Sequence, residues 1–224
     1  MAKTYIISGP YGSGKTEFCI NLAKKISSES SQKTVIADLD TVNLSFRSRE
    51  KAEELAPFGI EVIGGHLDNN TLQDVPAVSF AFLSAINQDK NLVVDLAGGS
   101  IGVNLLSHCY DYLKEASYEF LCVLNCFRPD VSTAEKMVDF VRTINGDAKI
   151  KVTGLVSNGH MIHHTEREHI TLCRDEVIKA SKILGIKHYM TLIKKDFYEN
   201  LKQEINFTEE ILIFDKLEMR ENYQ

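Results

Sequence analysis

The chain has 224 residues, 44% of them hydrophobic, and carries 25 Lys+Arg against 31 Asp+Glu for a net charge of −6. That is enough apolar material for one large domain, or a domain with a small appendage. The acidic balance without basic clusters argues against a nucleic-acid partner, and no apolar run approaches the roughly 18 residues of a membrane span.

In chain order, residues 4–8 read as a short buried strand. It runs into Gly9-Pro10-Tyr11-Gly12-Ser13-Gly14-Lys15-Thr16, the G-x-x-x-x-G-K-T spacing of a phosphate-binding loop. Gly12 and Gly14 let the backbone wrap an oxyanion with its N–H groups inward. Lys15 offers a point charge to β- and γ-phosphates, and the Thr16 hydroxyl a ligand to Mg2+. Residues 15–27 place Phe18, Cys19, Leu22, Ala23 and Ile26 on one helical face. The loop therefore sits between a strand and a helix N-terminus, where partial positive charge favours phosphate. The predicted nucleotide-binding set here is Gly9, Gly12, Ser13, Gly14, Lys15, Thr16 and Glu17.

The next strand, 34–39, closes on Asp38-Leu39-Asp40. Carboxylates two apart project to one side of an extended chain, at the edge where open α/β sheets bind ligands. Asp38 suits the outer metal shell and Asp40 the orientation of an attacking water; a solvated pair capping a loop is the plainer alternative. After a strand at 60–63 comes a polar loop, 64–76, either functional or a surface excursion. A helix at 77–87 leads to the strand 91–96, whose Asp95 suits the Mg2+ shell. The following D-x-x-G spacing puts the Gly98 N–H where it can sense a γ-phosphate, although Asp-x-x-Gly is also a common turn.

Further along, helices are predicted at 102–116, 132–145 and 166–184 and strands at 119–125, 150–157 and 188–193. Ser132 with Glu135 and Thr165 with Glu168 have capping-box spacing. His169 and Cys173, four apart, could share a metal with the nearby His160, His163 and His164, or Cys173 could belong to the helix's apolar stripe. Cys122 and Cys126 read as core. All five cysteines read as reduced thiols of a cytoplasmic protein, and no signal-peptide pattern precedes the first strand. At the C-terminal end, the stretch Phe207 to Gln224, which contains Ile211-Leu212-Ile213-Phe214, could be an amphipathic helix, though too acidic for anionic lipid. Alternating strands and helices imply an α/β three-layer fold with a mostly parallel central sheet and helices on both faces. Residues 1–204 would form the phosphate-loop domain, and 205–224 a segment packing on it or on a partner.

The phosphate loop, the D-L-D ending at Asp40 and the V-V-D-L-A-G-G around Asp95 together resemble the MinD/ParA-like branch of phosphate-loop ATPases, which also holds CobB/CobQ and dethiobiotin synthetase enzymes. The resemblance implies that Asp40 supports hydrolysis. It implies too that Asn158, in Gly154-Leu155-Val156-Ser157-Asn158, hydrogen-bonds adenine. Leu192-Ile193-Lys194-Lys195-Asp196 is similar to the family's I-P-x-D purine-side loop, with Lys194 at the proline, which assigns Asp196 to the base. No N-K-x-D guanine signature is present, so ATP is the expected nucleotide, with Mg2+. Relatives of this kind carry a second lysine after the first loop glycine; here Pro10 stands there, and Arg47 or Arg49 could supply the missing charge.

These readings converge on an Mg2+-dependent ATPase, slow without a partner, whose cycle drives a switch through a protein partner or a homodimer, with no nucleic acid or membrane involved. An ATP-dependent ligase or kinase acting on a small molecule, and a nucleotide-gated module that barely hydrolyses, are the alternatives.

Overall fold

The computed structural model describes residues 2–40, 47–64, 80–86 and 89–219. Most of the predicted 64–76 loop, the first residues after Asp40 and the last five residues lie outside them.

Eight strands form one sheet: β1 (Thr4–Ser8), β2 (Thr34–Leu39), β3 (Ile60–Gly64), β4 (Asn91–Leu96), β5 (Tyr118–Leu124), β6 (Gly154–Ser157), β7 (Lys187–Lys194) and β8 (Glu210–Phe214). Their order is β3-β2-β4-β1-β5-β6-β7-β8 and every pair is parallel. Such a sheet is buried on both faces, so its strands are continuous apolar runs. β2 and β4 are buried along their whole length.

Side chains alternate between two cores because a strand has a period of two. Ile6, Val94, Phe120 and Cys122 face one core, Ile7, Val93, Leu121 and Val123 the other. The first core packs under α4 (Gly99–His108), α5 (Tyr110–Leu113), α6 (Ala134–Asp147) and α7 (Arg167–Leu184). The second packs under α1 (Lys15–Glu29), the short α2 (Ala52–Leu55) and the last described residues, Leu217 and Met219. α3 (Phe80–Ile86) adds Phe82 to the first core, and α8 (Lys195–Glu204) closes a small third cluster with Ile170, Ile193 and Leu201.

Several sequence expectations shift. The predicted 102–116 helix is two, broken at Cys109. β6 starts at Gly154 rather than 150, since the Val152 N–H donates to the Asn145 side chain at 2.9 Å. Helix starts move one residue: Thr133 caps α6, and Glu166 caps α7 with His169 Nδ1 accepting the Glu166 N–H at 3.0 Å. Within the 207–224 stretch that could be a helix, Glu210–Phe214 is instead β8, parallel to β7. Leu212 and Phe214 alternate inward there, and the β-branched isoleucines suit a pleated strand. Just before it, Glu209 forms a buried pair with Arg174, Nη2 to Oε2 2.9 Å, and accepts the Thr191 hydroxyl at 2.8 Å. This tie, whose charge and hydrogen bonds hold the Glu209 carboxyl down to about 2 against the cost of burial, fixes the edge strand to the body.

Candidate nucleotide-binding cleft

The phosphate loop lies at the carboxyl end of β1, between its neighbours β4 and β5. Its shape is set from within and below. The Ser13 N–H and Lys15 Nζ both donate to the Pro10 carbonyl, at 3.2 and 3.1 Å. Gly14 has φ 88, and a Cβ there would come within 2.2 Å of Asn158 Nδ2; one at Gly9 (φ 153) would come within 2.3 Å of the Val123 carbonyl. Only glycine fits these two positions. From the ends of β5 and β6, Arg128 Nε donates to the Gly12 carbonyl at 2.8 Å and Asn158 Nδ2 to the Ser13 carbonyl at 2.7 Å. The Gly99 N–H reaches back to the Gly9 carbonyl at 3.2 Å. A Cβ on Gly98 would lie 3.5 Å from Lys15 Nζ, so Gly98 and Lys15 share one side of the loop.

Asp38 and Asp95 are direct register partners on β2 and β4, and both are buried. Their surroundings differ. Asp38 accepts Arg49 Nε at 3.0 Å, the Arg49 N–H at 3.2 Å and the Asp40 N–H at 3.2 Å. Asp95 makes no hydrogen bond of ordinary geometry through either oxygen. Burial, then the neighbouring Asp38, push its carboxyl up to about 7, against the pull of Lys15 and the Thr16 hydroxyl. A buried orphan carboxylate beside a hydroxyl needs a partner, and the oxygen donors of Asp95, Thr16 and Asp38 are of the kind a hard divalent cation takes. Among the described residues no cluster of three or more His, Cys, Asp or Glu could hold a metal unaided. That is compatible with Mg2+, which usually keeps waters and borrows phosphate oxygens.

From Lys15, Thr16 and Asp40 the cleft continues past Asn125, Arg128 and Asn158 to His160, Ile162, Phe214, Leu217 and Met219. His160 is packed edge-on against Phe214, centroids 4.8 Å apart. Burial pushes its imidazole down to about 4, against an opposing effect of the Leu192 backbone. Ile162 sits at φ 57, a strained conformation for a β-branched residue.

Several predicted residues sit elsewhere or act differently. Asp196 does not line this cleft: β7 passes into α8 without an intervening loop, and the carboxylate is exposed, paired with Lys194 at 2.7 Å. Glu17 lines the cleft, but its oxygens accept the Glu218 N–H (2.9 Å), the Met219 N–H (3.1 Å) and Asn21 Nδ2 (2.9 Å). Arg49 is engaged with Asp38, its Nε donating to the carboxylate at 3.0 Å. His169 is used in the α7 cap and against Phe127, and Cys173 accepts the Cys126 N–H at 3.3 Å in the core. Arg128, Phe214, Leu217 and Met219 had no signal in the sequence, since no local motif marks them.

No protein-family model matches this chain, and a search of curated proteins returns no match. Solved structures do match. The chain aligns with the cell division protein FtsY of Thermotoga maritima at TM-score 0.60 and 20% identity, covering 86% of this chain and 62% of that one. It aligns with the signal recognition particle receptor FtsY of Elizabethkingia anophelis in complex with GDP at 0.57 and 18%, covering 85% and 57%. The signal recognition particle 54 kDa protein of Aeropyrum pernix K1, also with GDP, gives 0.57 and 15%, covering 84% and 40%. The chain thus spans less than two thirds of the length of each. What it shares with them is the fold: an all-parallel eight-stranded α/β sheet of the phosphate-loop nucleoside triphosphatase type.

Proposed function

We propose that this chain binds a nucleoside triphosphate with Mg2+ and hydrolyses it slowly, as a switch that acts through a protein partner or a second copy of itself in the cytoplasm. The observation that carries this is the orphaned, buried Asp95 beside a glycine loop holding Lys15 and Thr16. In this reading Lys15 and the loop N–H groups hold the β- and γ-phosphates, and Thr16 and Asp95 hold the metal, with Asp38 behind them. Mg2+ supplies neutralisation of developing phosphate charge. Asp40 orients the attacking water, and Gly98, within reach of Lys15, relays the presence of the γ-phosphate to α4.

The MinD/ParA-like branch supports ATP, through Asn158 and the missing guanine signature. Two of the similar solved structures contain GDP, which supports guanine as the second reading. Calorimetry with Mg·ATP and Mg·GTP, each competed against the other, separates them: ATP tighter by about tenfold or more supports the first and the reverse supports the second. Light scattering of Asp40→Ala with triphosphate and with diphosphate tests the switch. A dimer that dissolves with diphosphate is expected; unchanged mass together with unchanged protease sensitivity around residues 40–50 would sink it.

A further inference from the structure

The base half of the cleft is walled by the chain's own C-terminal strap. We infer that residues 215–219, latched to α1 by Glu17, position a nucleotide's base, and that Glu17 is a positioning residue for the base rather than a phosphate ligand. This rests on reading the cleft as a nucleotide site.

The strap leaves β8 at Phe214 and turns across the start of α1. Two consecutive N–H groups, of Glu218 and Met219, converge on the two oxygens of the Glu17 carboxylate at 2.9 and 3.1 Å. A second tie, Lys24 Nζ to the Glu218 carboxylate at 2.6 Å, holds the strap to the same helix about two turns further on. Glu218 is 7% exposed and Glu17 8%, so the latch is inside the fold. Glu17 is two residues from Lys15, so one turn of α1 carries the phosphate cation on one side and the strap anchor on the other.

The surface so formed has the composition of a base slot. Ile162, Phe214, Leu217 and Met219 supply apolar walls in the same cleft as Lys15. Beside them, Asn158 Oδ1 and His160 Nε2 are buried with no hydrogen-bond partner. With Asn158 Nδ2 already bound to the Ser13 carbonyl, the unspent atom of that side chain is an acceptor. Apolar walls with a few unspent polar atoms are how sites orient a planar ligand, and acceptors select a heteroaromatic ring that bears N–H donors. Inorganic phosphate chains offer neither feature and need only the loop.

The test is calorimetry on the full chain with Mg·ATP, Mg·GTP and magnesium tripolyphosphate, comparing wild type with Glu17→Ala and Leu217→Asp. Both variants are expected to weaken the preferred nucleotide by at least about tenfold while moving tripolyphosphate by less than about twofold. Amide exchange at 218–219 should accelerate in Glu17→Ala without any ligand. Equal weakening of nucleotide and tripolyphosphate would assign Glu17 to the phosphate loop and overturn the inference, as would unchanged nucleotide affinity. If Glu17→Ala fails to fold, Leu217→Asp alone decides, since it leaves the carboxylate in place. A wild-type chain whose 218–219 amides depend on Glu17 but which binds no nucleotide would remove the cleft reading itself and the base role with it, leaving only a structural latch.

Discussion

The two halves of the cleft are built in opposite ways. The phosphate half is eight consecutive residues, 9–16, tied to themselves through Pro10 and braced from beneath by Arg128 and Asn158. The base half comes from segments far apart in the chain: Asn158 to Ile162 after β6, Phe214 at the end of β8, Leu217 and Met219 on the strap, and Glu17 on α1. A local loop keeps its shape through glycine conformations and short-range hydrogen bonds. An assembled wall holds only while its distant anchors hold. Affinity for phosphate and affinity for the base should therefore be separable by mutation.

The largest effect expected breaks the phosphate half. Lys15→Ala should weaken both nucleotide and tripolyphosphate by about a hundredfold, since charge-assisted contacts dominate there. Its melting temperature should fall as well, because Lys15 donates to the Pro10 carbonyl and its charge also lies beside the buried Asp95. Calorimetry with a parallel melt checks both.

Breaking the base half from a distance comes next. Arg174→Met leaves Glu209 buried without its cation, and removing one member of a buried pair costs about 3–5 kcal/mol. Urea unfolding should show that loss. In the folded fraction nucleotide affinity should fall while tripolyphosphate affinity persists, because β8 carries Phe214 and the strap. Equal losses for both ligands would mean the halves are not independent.

His160 gives the comparison a pH axis. Its imidazole, between Phe214 and the Leu192 backbone with Lys194 adding a lowering effect, sits at about 4 in the fold against an ordinary 6.5. The unfolded chain gains a proton first as pH falls. Stability from the buried neutral ring is therefore full above pH 6.5 and is lost progressively toward pH 4, by about 3 kcal/mol in all. His160→Phe should flatten the drop in urea midpoint between pH 7.5 and pH 4.5; an unchanged drop would place the acid sensitivity elsewhere.

Arg49→Ala should do least. It removes the guanidinium from the buried Asp38, which keeps the Arg49 and Asp40 N–H bonds, costing about 1–3 kcal/mol of stability, and should leave turnover within about threefold if the guanidinium serves that carboxylate rather than phosphate. A loss of turnover well beyond that would return Arg49 to the role suggested by the missing loop lysine.

Much of the sheet was legible because a parallel sheet needs continuous apolar strands, and 4–8, 34–39 and 91–96 are such runs. β8 was misread since Ile-Leu-Ile-Phe is short and fits either period until Arg174 and Glu209 pin it beside β7. Asp196 came from a motif that indicates residue types only; in the fold β7 passes directly into α8 and the carboxylate pairs with Lys194. Glu17 looked like part of the loop by proximity, yet its oxygens are taken by amides some 200 positions away.

What the sequence determined by itself is the local chemistry: a glycine loop whose backbone can wrap an anion, Lys15 and Thr16 at its end, and carboxylates closing β2 and β4. These follow from short-range sterics and a two-residue period, which adjacent positions encode. The tertiary structure alone decided which carboxylate is satisfied and which is orphaned, Arg49 having chosen Asp38 over Asp95, and where the strap and Phe214 come to rest. Burial and long-range pairing set those outcomes, and neither is a property of any window of the chain.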